Sequence, residues 1–454
     1  MPLRSNHDAD RIIDWAAQKM LGNISPPGAR PGAVIASPSR SNPDYYYCWV
    51  RDAALVMHVV GLLFERTTVR AAKAVYLKRL KEYVEFSRFT QTAPGRLEDL
   101  GEPKSHVDGT AFTEPWGRPQ NDGPALRGIT LKRFADHLLD QGRNKYVLKR
   151  LYTPGLPARS VIKADLEYVS HHWREPSFDY WEEEKATHFS TRMVQRRALL
   201  DGADLAERLN DPGAADWYRQ QAALIGAELE QHWDREAGCI RTSVNHEGGI
   251  DYKSSGLDTA VILGVLHGEV PGRSFSVIDD YVLATALRIR DEFDGLYEVN
   301  SDHPGRPGVA IGRYPEDRYD GYRTDSQGNP WFLAGNGFAE YYYRVAGALR
   351  AQGEIRLTAT NLPFFLALLA PGQAAALSQG TRLNRWHGLF STILANLCHE
   401  GDDFIRRTLF HADGALSEQF HRTTGKMTAA PDLTWSYSSL ISALVHRPAS
   451  APYC

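Results

Sequence analysis

The sequence predicts an all-α fold, a closed ring of paired helices with long loops gathered at one end. Three observations predict it. Apolar residues recur at helical spacing along about thirteen segments, strand-like alternation is scarce, and short connections alternate with long ones rich in Gly, Pro, Trp and acids.

The elements follow in chain order. Ile12, Ile13, Ala16, Ala17 and Met20 form the first apolar stripe, and Asp52 is placed to cap the run from Ala53 to Phe64. Amphipathic patterns then span 69–90, 125–141, 160–173, 186–209, 213–233, 256–267, 274–292, 331–351, 358–370, 381–399 and 433–446. Short stretches near Ile240 to Val244 and Leu296 to Val299 are the candidate strands. The long loops are 22–48, 92–124, 293–330 and 401–432, where function is expected, because long loops in a compact helical protein usually carry it. A helical solenoid would also stack paired helices, but no sequence period repeats. With no Ser/Thr-rich linker and no terminal shift in composition, residues 1–454 read as one domain.

Composition narrows the function classes. A chain of 454 residues, 43% hydrophobic and 24% charged, can bury a large core. Its formal charge of −3 gives no general attraction to nucleic acid or anionic lipid, and no Lys/Arg cluster is apparent, so neutral substrates fit best. The N-terminal segment carries Arg4, Asp8, Asp10, Arg11, Asp14 and Lys19 instead of an apolar signal core, and no apolar run approaches the roughly 18 residues that span a bilayer. As written the chain reads as intracellular, with a secreted mature form as the alternative. The sequon Asn23-Ile-Ser25 is too common to decide. Cys48, Cys239, Cys398 and Cys454 lack the spacing of a metal site or dense disulfide framework, so mainly free thiols are expected.

Chemistry concentrates in two places. FDYWEEE (178–184) sets Glu182, Glu183 and Glu184 behind Phe178, Tyr180 and Trp181. A general acid that keeps its proton near neutral pH needs apolar shielding and like-charge neighbours, and this run offers both. Far downstream, Glu418 lies in GALSEQFH among turn residues and another aromatic. Two remote acids in aromatic settings suggest glycoside hydrolysis, in which one protonates the leaving oxygen and the other activates water. The chain's 10 Trp, 21 Tyr and 17 Phe can supply rings for the apolar faces of sugars, although most rings pack cores.

Five segments share one pattern: NPDYYYCWVRD (42–52), GEPKSHVDGTAFTEPWGRPQNDGPALR (101–127), FDYWEEE, GRYPEDRY (312–319) with NPWFLA (329–334), and LSEQF (416–420) with DLTWSYSSL (432–440). Together, in family order, they resemble the glucoamylases of glycoside hydrolase family fifteen, fungal-type catalytic domains that act as inverting exo-α-glucosidases. The resemblance implies a six-fold (α/α) toroidal barrel with the active site in long loops at one end. It also implies that Glu182 is the general acid, Glu418 the general base and Glu183 a substrate-binding carboxylate. Arg51 and Asp52 correspond to the pair that grips the terminal glucose, and Trp116 and Arg313 to positions flanking the scissile bond. Tyr45, Trp49, Trp331 and Trp435 match wall positions, with Tyr180 and Trp181 beside the acid. Glu182 must then start protonated and Glu418 charged. No metal or organic cofactor is implied; the expected partners are an α-glucan substrate and glucose, and the expected state is a monomer.

Departures from the family pattern carry expectations too. Asn121 stands where the family often has a basic residue, which bears on contacts beyond the first two sugars. The run between YPED and NPW is longer than the family's and is expected to reshape the pocket rim. Ala429 and Ala430 stand where a hydroxyl can bond the base region, which bears on the pH optimum. The absent linker and starch-binding module predict weaker action on granules than on soluble dextrins.

Blander readings stand beside these. Glu182 to Glu184 could be the acidic first turn of a following helix, Asp52 a plain N-cap, Glu418 an exposed loop acid, Trp116 a loop anchor, Arg313 a surface ion-pair partner, and Trp331 and Trp435 core residues that begin helices. Rival functions are an α-1,6- or trehalose-preferring inverting glucosidase, a non-catalytic carbohydrate-binding protein, and a helical scaffold.

Overall fold

The computed structural model describes residues 3, 5–301 and 308–448; Arg4 and Cys454 fall outside the described residues. Among those described, twelve helices have nine or more residues: α1 (Asn6–Gly22), α2 (Val50–Arg66), α3 (Arg70–Gln91), α4 (Asp122–Asp140), α5 (Val161–His172), α6 (Phe189–Arg208), α7 (Pro212–Glu228), α8 (Ala260–Gly268), α9 (Asp280–Leu296), α10 (Phe332–Gln352), α11 (Gly388–His411) and α12 (Thr434–His446).

The even-numbered helices close a ring. α2 packs on α4, α4 on α6, α6 on α8, α8 on α10, α10 on α12, and α12 returns to α2. The odd-numbered helices form an outer layer: α1 on α12, α3 on α2, α5 on α4 and α6, α7 on α6, α9 on α8, and α11 on α10. This is the six-fold (α/α) barrel that the resemblance implied.

Sequence patterning explains which helix lies where. α2 buries nearly every residue from Ala53 to Phe64, because an inner helix meets neighbours on all sides. Outer α3 buries one stripe, Leu80, Tyr83, Val84, Ser87 and Gln91, and leaves Lys78 and Lys81 to solvent. Close approach of inner helices requires a glycine: a Cβ on Gly264 in α8 would lie 2.6 Å from Ser190 Cα in α6.

Several boundaries differ from expectation, each for a local reason. α2 starts at Val50 with Trp49 at its N-cap, so Asp52 lies within the first turn and is not the cap. Trp49 is fixed there by antiparallel pairing of Cys48–Trp49 with Lys104–Ser105. Glu184–His188 is a strand paired with Ser177–Phe178 and Ser243–Gly249, and α6 begins only at Phe189; the acidic run is therefore not a helical first turn. The pattern near Ile240 to Val244 does form strands, Cys239–Ile240 and Ser243–Gly249. Leu296 to Val299 does not: Leu296 ends α9, and Glu298–Ser301 forms a short helix held by the Asn300 amide on the Phe293 carbonyl. α11 runs on to His411, eleven residues into the loop expected from 401, because Phe404, Ile405 and Leu409 continue its buried stripe.

Cys48 and Cys239 are free and buried, whereas Cys398 is disulfide-bonded. Among the described residues no helix is long and apolar enough to cross a membrane.

Candidate active site

All six inner helices point their N-termini toward one end of the barrel, where the long loops meet. None has a side-chain N-cap bond, whereas outer helices α1, α9 and α11 are capped by Ser5, Asp279 and His387. Partial positive charge at these ends therefore converges where carboxylates gather.

The cavity there has a volume of about 420 Å³, and every residue proposed from sequence lines it: Glu182 and Glu418 with Tyr45, Trp49, Arg51, Asp52, Trp116, Tyr180, Trp181, Glu183, Arg313, Trp331 and Trp435. Its lining ranges from Trp116, 41% exposed, to Glu418, only 1% exposed. Trp331 is the N-cap of α10 and Trp435 lies in the first turn of α12, so both begin helices and also wall the cavity.

The three consecutive glutamates do not shield one another. Asp179 turns the chain: its carboxylate accepts the N–H groups of Glu183 and Glu184 at 2.8 and 3.2 Å, and Glu182 adopts a left-handed φ of 66°. Burial alone would raise the Asp179 carboxyl, but Lys253 at 2.7 Å and these N–H bonds hold it well below the usual range. The glutamates then part. Glu182 Oε1 accepts from the Trp49 indole N–H at 2.6 Å and the Gln120 amide at 2.9 Å. Glu183 accepts from Arg313 at 2.9 Å and the Tyr314 hydroxyl at 2.7 Å. Glu184 turns to Ser243 at 2.9 Å and lies 3.8 Å from Lys253. The expected like-charge neighbours of Glu182 are thus drawn away by their own cations and hydroxyls. The charges set near Glu182 are instead those of Asp52, Arg51 and Lys104.

Both arginines are braced from behind. Arg51 donates to Asp122 at 2.6 Å and to Gln120 at 2.6 Å, and Gln120 in turn holds Glu182. Arg313 forks onto Asp317 at 2.8 and 2.6 Å. Neither guanidinium makes a protein hydrogen bond through Nη1 among the described residues, which leaves that group for a ligand. Asp52 is pushed up to about 6 by burial, against the pull of Arg51 and with the push of Glu182.

Glu418 stands in a different setting. Its backbone N–H bonds the Ala430 carbonyl at 2.8 Å, and its carboxyl lies by Gln419 Nε2 at 3.4 Å and the Tyr45 hydroxyl. The Tyr45 hydroxyl is 2.8 Å from that of Tyr319, which donates to the Gly321 carbonyl at 3.0 Å. Burial pushes Glu418 up to about 8, against the lowering effect of Tyr45 and Arg313. Removal from water thus outweighs the nearby donors.

Sequence reasoning missed several parts of the cavity. Tyr319, Thr324, Ala36, Gly117 and Leu433 also line it, and Tyr319 lay unremarked inside GRYPEDRY. The long loop contributes Tyr319 and Thr324 to the lining. Asn121 is 1% exposed and accepts from the Tyr168 hydroxyl at 2.9 Å behind the wall, so it does not face the cavity. The hydroxyl beside Glu418 is that of Tyr45, whereas positions 429 and 430 are alanines.

Comparison with known proteins adds three findings. The chain matches the profile of Glycosyl hydrolases family 15 over residues 15–445. It is 42% identical to a glucoamylase of Blastobotrys adeninivorans over 98% of this chain and 71% of that protein, and 39% identical to glucoamylase 1 of Rhizopus oryzae over 95% and 69%. Its structure superposes on a glucoamylase from Saccharomycopsis fibuligera with a TM-score of 0.85 at 33% identity, covering 97% of this chain and 94% of that one.

Proposed function

The chain belongs to glycosyl hydrolase family 15, and on that premise we propose that it is an inverting, exo-acting α-1,4-glucosidase releasing β-glucose from the non-reducing ends of starch, dextrins and maltooligosaccharides. It is a glycoside hydrolase; its substrate is an α-glucan and its product glucose. The observation that carries the finer reading is that two carboxyls from remote segments, Glu182 and Glu418, line one cavity.

Glu182 is the proposed acid. Both of its protein donors reach Oε1, which leaves Oε2 to carry the proton given to the leaving oxygen as the anomeric carbon gains positive charge. Glu418 is the proposed base, activating water on the opposite sugar face once ionised; inversion requires the two carboxyls to stand roughly 6.5–9.5 Å apart. Arg51, Asp52, Glu183 and Arg313 hold hydroxyls, and Tyr45, Trp49, Trp116, Tyr180, Trp181, Trp331 and Trp435 form the apolar walls. The proposal treats 1–454 as one catalytic domain acting as a monomer.

The test is hydrolysis of maltotriose with the newly formed anomer followed by NMR. β-Glucose is expected, and α-glucose would overturn the reading. Glu182→Gln and Glu418→Gln should each lower turnover by roughly 10²–10⁴-fold with the fold intact by circular dichroism, and a normal rate would remove that residue's role. Faster cleavage of isomaltose or trehalose than of maltose would reassign the linkage.

A further inference from the structure

A second concavity lies far from the carboxyl-lined cavity. It has a volume of about 430 Å³ and is lined by Gly142, Arg143, Lys145, Tyr146, Lys149 and Arg150. Sequence analysis found no Lys/Arg cluster, because Tyr146, Val147 and Leu148 interrupt these cations; the fold makes one.

The backbone that gathers them is specific. α4 ends in a double turn in which Gly142 N–H bonds the Leu139 carbonyl at 2.9 Å and Arg143 N–H bonds the Leu138 carbonyl at 2.8 Å, with Gly142 at a φ of 72°. A three-residue helical turn follows, and then Val147–Leu151 widens into a π-helix, a rare form often found at functional sites. Val147 and Leu151 are fully buried and anchor the segment, while Lys145 and Lys149 project to solvent.

Charge bookkeeping sets this hollow apart from the surface around it. Nearby cations are neutralised: Arg133 by Glu65, Lys132 by Asp136, and Arg208 by Asp136 and Asp140. In the hollow only Arg150 meets an acid, Glu85 at 3.3 Å. Arg143, Lys145 and Lys149 pair with no acid among the described residues, and Lys81 adds a further positive charge 5.7 Å from the Tyr146 ring. The dipole at the C-terminus of α4 accounts for Arg143, but not for Lys149. Three cations without an acidic partner among the described residues thus share one hollow.

We propose that this hollow is a binding site for a compact dianion, a phosphate monoester. The carboxylates at its margins, Asp140 and Glu85, disfavour an extended polyanion such as a nucleic acid, which would have to cross them. An arginine fork beside two ammonium groups suits three ester oxygens. The site is separate from the carboxyl cavity: α4 carries Asp122 at one end and the hollow at the other, and its 19 residues span about 28 Å.

The ester can be a free sugar phosphate, inorganic phosphate, or a phosphate carried on a glucan. Calorimetric titration of the full chain at low ionic strength with inorganic phosphate, glucose 6-phosphate and a phosphorylated maltodextrin separates these sources, with glucose as the uncharged control. Saturable, salt-sensitive binding of at least one phosphate probe is expected. Equal affinities mark the free anion as the ligand, and tighter binding of the hexose ester or of the dextrin marks that source. Combining Arg143→Gln, Lys145→Gln and Lys149→Gln should weaken binding at least tenfold while maltotriose hydrolysis stays unchanged. Lys149→Glu alone should weaken it in the same direction, which keeps the test intact if the triple variant folds poorly. No saturable binding by the wild-type chain, or binding that both variants retain, overturns the proposal.

Discussion

The indole N–H of Trp49 donates to Glu182 Oε1 at 2.6 Å, joining the residue at the N-cap position of α2 to one in the tight turn after Asp179. The same oxygen takes the Gln120 amide, so one side of the carboxyl is fully occupied. Replacing Trp49 by Phe keeps the wall and removes the donor. A hydrogen bond to a charged or reacting group contributes about 1.5–3 kcal/mol, so kcat on maltotriose should fall roughly ten- to hundredfold. Steady-state kinetics checks this; an unchanged kcat would mean that the indole only fills space.

Tyr45 is the hydroxyl that favours ionised Glu418. Tyr45→Phe should move the acid limb of kcat/KM to higher pH, because the base then ionises later; a limb that stays or moves down would contradict the assignment.

The same raised carboxyl predicts a stability effect. A group lifted from its ordinary 4.5 to about 8 favours the folded state while it is protonated, and that advantage is lost as pH rises through this window. Glu418→Gln removes the penalty. Its Tm relative to wild type should therefore increase between pH 5 and pH 9, and parallel Tm profiles would show that Glu418 is not buried in this way.

Arg313 binds Asp317 through two parallel bonds and Glu183 through a third. A lysine keeps the charge but cannot reproduce the fork. Arg313→Lys should lose roughly 1–3 kcal/mol of stability and at least about tenfold in kcat/KM, measured by denaturant unfolding and by maltotriose kinetics.

Gly321 adopts a φ of 100°, and a Cβ there would lie 2.2 Å from Ala429 Cβ. The long rim loop is thus keyed to a small residue beyond the base, and the Tyr322 hydroxyl also accepts the Ala429 N–H at 3.1 Å. Gly321→Ala should displace the loop that carries Tyr319 and Thr324, raise KM for maltotriose, and reduce stability by about 1–3 kcal/mol. Unchanged KM and Tm would show that the loop yields freely.

Helical periodicity is a local property of the chain, so the ring of paired helices could be read from the stripes in α1 to α12, and the motif acids and rings could be named with their positions. Boundaries failed where tertiary contacts overrode pattern, as at Glu184–His188, which became a strand because Ser243–Gly249 lay alongside it. What only the folded chain decided is the state of each carboxyl. Glu182, Glu183 and Glu184 are neighbours in sequence yet answer to different partners, and Glu418 is raised by burial that no stretch of sequence displays. Ionisation depends on distance to charges and to water through space, and those distances are set by segments hundreds of residues apart.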